Sequence, residues 1–215
     1  MRRPVIERRS GSQPDPVPRI VTQHTKNCIL VAEGDSLSTN FVGELSWFTQ
    51  MPQPAGMQKF AVAAGGRTME TIAIESQLQT RVLSKYTPGI PNIASVWAGI
   101  NDFNTGGTGQ EVYDNLVIVR DLCVAAGFVF WTWYVMESGA VVGSEETERL
   151  AFNTLLTANI AAFQAVGEVI DPREIAPDPY NAPYWRGGAD LTHLTTEGQA
   201  LLLPQVNAAF ARSVP

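Results

Sequence analysis

Ser36, Asn101, Asp190 and His193 are the residues of this 215-residue chain whose types and order can do chemistry together. A serine hydroxyl is a weak nucleophile until a base takes its proton, and an imidazole, with an ordinary pKa of about 6.5, can do so near neutral pH. The chain has two histidines, and His24 falls in a leading segment set apart by its charge, so His193 is the imidazole available to a folded body. Asp190 stands three residues before it, near enough to hold the ring in the needed tautomer and to stabilise the imidazolium. An attacked carbonyl also needs preorganised donors for its developing oxyanion, each typically worth about 10² to 10³ in rate. The backbone N–H groups of Ser36 and Gly66 and the side-chain amide of Asn101 are the candidates. This is the inventory for nucleophilic acyl transfer.

The elements that must position these residues read as a parallel sheet with helices on both faces, because short apolar runs alternate with amphipathic stretches. Strands are expected at residues 28–32, 59–63, 93–98 and 128–134, with a weaker fifth at 168–170; all are near-continuous apolar runs, as strands buried on both faces should be. Helices are expected at about 41–50, 68–85, 110–126 and 144–165, the third ended by Gly127. A last helix should start near Thr196, with Gln199 completing a capping box, and Pro204 should kink or restart it. Gly34-Asp35-Ser36-Leu37 follows the first strand, Gly65-Gly66-Arg67-Thr68 the second, and Gly99-Ile100-Asn101-Asp102 the third. The carboxyl ends of parallel strands share one edge, and ligands bind in the crevice there.

Composition bounds the rest. With 45% hydrophobic residues the chain is long enough for one domain with its own core, needing no disulfide or metal staple. Cys28 and Cys123 both sit in apolar stretches and read as buried thiols. No CxxC or HExxH pattern appears, so no metal site is expected, and Gly106-Gly107-Thr108-Gly109 does not complete a dinucleotide fingerprint. Residues 1–26 hold six basic and two acidic residues against nine and nineteen in the remainder, so nucleic acid is a poor partner for the body. Residues 1–24 are expected to be a flexible basic lead-in and residues 25–215 the folded domain. The longest apolar run, Leu122 to Trp131, is too short to span a bilayer, and the basic start has no apolar segment behind it. No membrane span or signal peptide is therefore expected, which makes the cytoplasm the default location. The sequence leaves the oligomeric state open.

The ordered set Gly34-Asp35-Ser36-Leu37, Gly66, Gly99-Ile100-Asn101-Asp102 and Asp190-Leu191-Thr192-His193 resembles the SGNH hydrolases, also called the GDSL esterase/lipase family. The resemblance covers about residues 27–213, with intervals of 30, 35 and 92 residues between Ser36, Gly66, Asn101 and His193. It implies a flavodoxin-like three-layer α/β/α sandwich with a central parallel sheet of about five strands. It also implies an ester hydrolase with Ser36 as nucleophile, His193 as base, Asp190 as its partner, an oxyanion hole of Ser36, Gly66 and Asn101, and no cofactor. One block departs from the family pattern N-x-G-x-x-G-x-T: Ala61 and Ala63 stand where that pattern has Asn and Gly. Adjacent Gly65 leaves the register of the donor glycine open by one residue.

The aromatic stretch Pro177 to Gly188, with Tyr184 and Trp185, leads into Asp190 and should rim the cleft; Phe103 and residues 105–109 should form the opposite wall. Flat rings suit a sugar or an acyl chain equally. No long apolar lid is evident, which favours a small acyl group such as acetyl, on a glycan or other small-molecule ester. Two other readings compete: a non-catalytic glycan-binding virion or surface module on the same scaffold, and a thioesterase, lysophospholipase or acyltransferase of the same family. Asp35 and Asp102 are expected to fix loops through backbone hydrogen bonds. Glu145, Glu146 and Glu148 are expected to form a solvated helix start.

Overall fold

A computed structural model describes residues 27–173, 184–187 and 190–214. The expected lead-in, residues 1–24, and most of the expected aromatic rim, residues 177–183, lie outside the described residues. The five expected strands are present as β1 (Cys28–Gly34), β2 (Met57–Ala61), β3 (Asn92–Trp97), β4 (Val129–Trp133) and β5 (Gly167–Ile170). They form one sheet in the order β2-β1-β3-β4-β5, every pair parallel. β1 and β3 are buried along their whole length, which is why both read as unbroken apolar runs.

Helices cover both faces, giving the three-layer α/β/α sandwich. α1 (Trp47–Gln50) follows β1; α2 (Met69–Ala73) and α3 (Glu75–Arg81) follow β2; α4 (Ile100–Asn104) and α5 (Gly109–Ala125) follow β3; α6 (Ser144–Ala158) and α7 (Ile160–Gln164) follow β4. Between α3 and β3 runs one 3-10 turn, Leu83–Lys85. After β5 come a two-stranded antiparallel hairpin, β6 (Trp185–Gly187) and β7 (Asp190–Leu194), then α8 (Thr196–Ala200) and α9 (Leu203–Ser213). α2, α4, α5 and α6 pack on one another, while α1 packs on α8 and α9 on β5. The large side chains Trp47, Trp97, Trp131, Trp133, Phe103 and Phe130 fill the interior.

The helices depart from the sequence expectation where a single side chain interrupts a continuous apolar period. The expected helix 41–50 shortens to α1, because Phe41 and Glu44 pair across a tight turn and Ser46 then caps a helix that starts only at Trp47. The expected helix 68–85 breaks at Ile74, whose backbone is extended. The expected helix 144–165 breaks at Asn159, whose side-chain amide donates to Leu155 O at 2.9 Å and so competes for the helix carbonyl. Gly127 ends α5 with φ 92°, the left-handed value that glycine adopts without steric cost. Pro204 does restart the last helix, standing in the first turn of α9. The expected capping box is displaced: Thr195 caps α8 by accepting from Gly198 N, while Thr196 binds Glu44 and Gln199 binds Trp47 N and Leu37 O.

Candidate active site

The order β2-β1-β3 puts the reversal of chain direction across the sheet between β1 and β3. Their carboxyl ends therefore flank the crevice where an open α/β sheet binds ligands. Ser36 follows β1 by two residues and Asn101 opens α4 after β3. Gly34 permits the approach: its φ is 144°, and a Cβ there would stand 2.0 Å from Trp97 O. Asp35 N donates to Trp97 O at 3.2 Å, stitching the turn under Ser36 to the end of β3.

Ser36 Oγ lies 2.7 Å from His193 Nε2, and His193 Nδ1 lies 2.7 Å from Asp190 Oδ1. With the ring proton on Nδ1 facing the carboxylate, Nε2 presents a lone pair to the serine hydroxyl, the arrangement a general base needs. Asp190 and His193 both sit on β7, a strand absent from the sequence expectation. The signal for it was Trp185-Arg186-Gly187-Gly188, a short run ending in turn formers ahead of Asp190. Strand geometry alone does not put residues three apart on one face. The backbone N–H of His193 also donates to Asp190 Oδ1 at 3.3 Å, so the carboxylate folds back over its own strand.

The donor side converges on the same serine. The turn Ala64–Arg67 closes with Arg67 N donating to Ala64 O at 3.4 Å and has Gly66 at φ 79°, the position of a turn that requires the left-handed region. A Cβ added to its neighbour Gly65 would sit 3.8 Å from Ser36 Cβ, so this turn lies against Ser36. Asn101 Nδ2 donates to Arg67 O at 2.9 Å, tying the asparagine to the same turn. A primary amide carries two N–H groups, so one remains for a substrate oxygen. The backbone of this turn is anchored through Arg67, whose guanidinium meets the buried carboxylate of Glu33 at 2.7 Å, with Arg81 on the other oxygen at 3.0 Å.

The carboxylates around the site divide by environment. Burial pushes Asp35 up to about 7, against the opposing hydrogen bond from Leu37 N. Burial likewise raises Asp102 to about 6, although it accepts from Met69 N at 2.8 Å and so caps α2. Both fix loops, as their positions implied. Partial burial would raise Asp190, but its bond to His193, the imidazole's charge and two backbone N–H groups outweigh this and hold it below the ordinary range. Glu44 is also lowered, first by the Thr196 hydroxyl at 2.6 Å and then by Thr196 N. Glu148, expected in solvent, instead accepts from Gly109 N at 2.8 Å and joins α6 to the start of α5. Glu146 pairs with the buried Arg149.

Two aromatic assignments need correction. Phe103 is completely buried and packs on Phe152, so α4 turns it into the core and away from any cleft wall. Trp185 is 3% exposed, and its ring is inside as well. Tyr184 is half-buried and packs against the core; its carbonyl accepts from Thr195 N at 2.9 Å. Residues 105–107 do line a hollow of about 310 Å³, shared with Thr68, Glu70, Asp102 and Glu111. Beside the Ser36–His193 pair the recess is far smaller, about 10 Å³, bounded by Thr39, Phe41, Glu44 and Leu45. Phe41 is the contact that sequence reasoning missed: its ring stacks on that of His193 with centroids 3.8 Å apart. Among the described residues, no group of three or more His, Cys, Asp or Glu is placed to hold a metal ion, and no helix is long and apolar enough to cross a membrane.

No family model and no curated protein matches the sequence. Solved structures do match the fold. A member of the lipolytic G-D-S-L family from Veillonella parvula aligns with a TM-score of 0.69 at 15% identity, covering 86% of this chain and 99% of its own. The psychrotrophic esterase EstA from Pseudoalteromonas, in a form inhibited by monoethylphosphonate, aligns with a TM-score of 0.60 at 16% identity, covering 87% and 98%. A GDSL-like lipase from Bacteroides thetaiotaomicron aligns with a TM-score of 0.58 at 15% identity, covering 86% and 89%. The chain has the three-layer α/β/α fold that these GDSL proteins share.

Proposed function

We propose that the chain is a serine ester hydrolase of the SGNH type, with Ser36 as nucleophile, His193 as general base and acid, and Asp190 as the carboxylate that orients the ring. The observation that carries this reading is the unbroken line from Ser36 Oγ to His193 Nε2 and from Nδ1 to Asp190 Oδ1, each step 2.7 Å. His193 takes the Ser36 proton as Oγ attacks the ester carbonyl. The oxyanion is received by the backbone N–H groups of Ser36 and Gly66 and by the Asn101 amide. The imidazolium then protonates the leaving alcohol, and water repeats the sequence to release the acid.

The acyl group is small, acetyl being the natural choice, and the alcohol is a glycan or similar hydroxyl-rich molecule. The small recess beside the pair, about 10 Å³ and lined by Phe41 and Leu45, supports the first half of that statement. The polar hollow lined by Thr68, Glu70, Asp102 and Thr105, which Asn101 adjoins in sequence, supports the second.

Hydrolysis of p-nitrophenyl acetate, butyrate and octanoate tests the reading. Turnover is expected to be fastest on acetate and to fall by about 10⁴-fold or more in Ser36→Ala. A fluorophosphonate probe should label the wild type at Ser36 and leave the variant unlabelled. Full turnover by Ser36→Ala would refute the assignment.

A further inference from the structure

Two side chains outside the reacting set, Arg186 and Phe41, touch it directly. Asp190 gives Oδ1 to the histidine, and its other oxygen, Oδ2, receives Arg186 Nη1 at 2.6 Å. Arg186 lies on β6, the strand paired with β7, so the hairpin itself brings the guanidinium across to the carboxylate. On the other side, the Phe41 ring lies on the His193 ring at 3.8 Å and 14°, with Arg186 Cζ 5.5 Å from the Phe41 centroid. Phe41 is delivered by a two-residue turn in which Val42 has φ 47° and Gly43 φ 87°. A β-branched residue in the left-handed region is strained, and Val42 is 69% exposed, so burial of its own side chain does not compensate. The turn is closed by Glu44, which Thr196 binds through both N–H and hydroxyl.

We propose, resting on the reading of His193 as the base, that Arg186 and Phe41 are positioning residues: Arg186 pins the Asp190 carboxylate so that its Oδ1 stays on His193 Nδ1, and Phe41 locks the ring plane toward Ser36. A carboxylate held at one oxygen only can swing; one held at both presents a fixed Oδ1. Among the described residues, the charged groups beside the ring are Asp190 and Arg186 from the hairpin and Glu44 from the turn, with neutral Ser36 opposite. The guanidinium offsets one of two carboxylates. Without it, two negative charges favour the imidazolium, and the ring titrates at higher pH. The strained turn fits this role, because it fixes the ring that covers the imidazole.

The test is an NMR titration of the His193 C2 proton in the full-length protein, identified by its loss in His193→Gln, alongside the pH profile of kcat/KM on p-nitrophenyl acetate. Arg186→Gln should raise the titration midpoint by about one unit, and the acid limb of kcat/KM should move with it. Arg186→Lys, which keeps the charge, should stay within a few tenths. Should Arg186→Gln fail to fold by circular dichroism, Arg186→Met, which keeps much of the length of the side chain without its charge, takes its place with the same upward shift expected. Phe41→Ala should lower kcat about 10-fold with KM within about two-fold, and Phe41→Leu should recover most of the loss. A midpoint and limb unmoved in Arg186→Gln, or in Arg186→Met where that stands in for it, would overturn the Arg186 role, and an unchanged kcat in Phe41→Ala the Phe41 role. The titration needs no turnover, so it decides the Arg186 role even if Ser36→Ala proves fully active and the hydrolase reading falls.

Discussion

The Ser36 side and the His193 side of the proposed site are built on opposite principles. Ser36 and Asn101 hang from β1 and β3, strands buried along their whole length, and the acids beside them, Asp35 and Asp102, are raised by burial. Asp190 and His193 hang from a two-stranded hairpin at the periphery, with side chains 28% and 15% exposed. There the acids Asp190 and Glu44 are lowered by hydrogen bonds. One side is placed chiefly by hydrophobic burial, which raises Asp35 and Asp102, with the buried Glu33 paired to Arg67 and Arg81 behind its second turn. The other is placed by charged and hydrogen-bonded cross-links, and its acids must be ionised. A hydrolytic site needs both conditions: a rigid nucleophile and oxyanion hole, and an ionised carboxylate behind the base.

The comparison breaks most visibly at Gly34. Alanine there would push a methyl against Trp97 O, 2.0 Å away, between the two central strands. Gly34→Ala should therefore cost about 3 kcal/mol or more, read as the shift of the urea midpoint.

On the base side the matching weak point is Gln199, which accepts from Trp47 N at 3.0 Å and donates to Leu37 O at 3.2 Å, linking α8 to the segment after Ser36. Gln199→Ala leaves two buried backbone groups unpaired and should cost about 2 kcal/mol by the same titration. Because it unfastens the hairpin side, it should also reduce kcat, which separates it from a plain loss of stability.

The gentlest test is pH. Asp35 is raised in the folded state from its ordinary 3.8 to about 7, so the protonated form is the one folding favours. That stability is fully present below the ordinary carboxylate value and is lost as pH rises through about 7. The thermal midpoint should fall between about pH 4 and about pH 7, and fall less steeply in Asp35→Asn, which still offers Leu37 N an acceptor. Asp102 contributes the same sign over a window ending near 6. An equal slope in both proteins would show that Asp35 is better solvated than its burial implies.

The same division explains what could be read from the residues alone. All five sheet strands were legible to within two residues: β1 and β3 because burial on both faces leaves an unbroken apolar run, the partly exposed edge strands β2 and β5 from runs too short for a helix and bounded by turn residues. The ends of β1 and β3 then placed Ser36 and Asn101 without further information. The hairpin left no such trace, since β6 and β7 are short and carry polar residues for the site. Its roles for Asp190 and His193 came from residue type and family resemblance, and Arg186 and Phe41 were invisible. Helix breaks at Ile74 and Asn159 are single-residue events to which periodicity is blind. Phe103 and Trp185 were misassigned because proximity in sequence to a motif says nothing about the direction of a side chain, and both rings face inward.

Trp97 and Trp133 stack at 4.5 Å and 12°, and Trp47 lies 5.0 Å from Trp133. Trp47 N is in turn the donor to Gln199. The indole cluster beneath the crevice is thus wired to the C-terminal helices, and its near-ultraviolet dichroism and emission give an intrinsic optical gauge of whether that half of the molecule is docked, with no label attached.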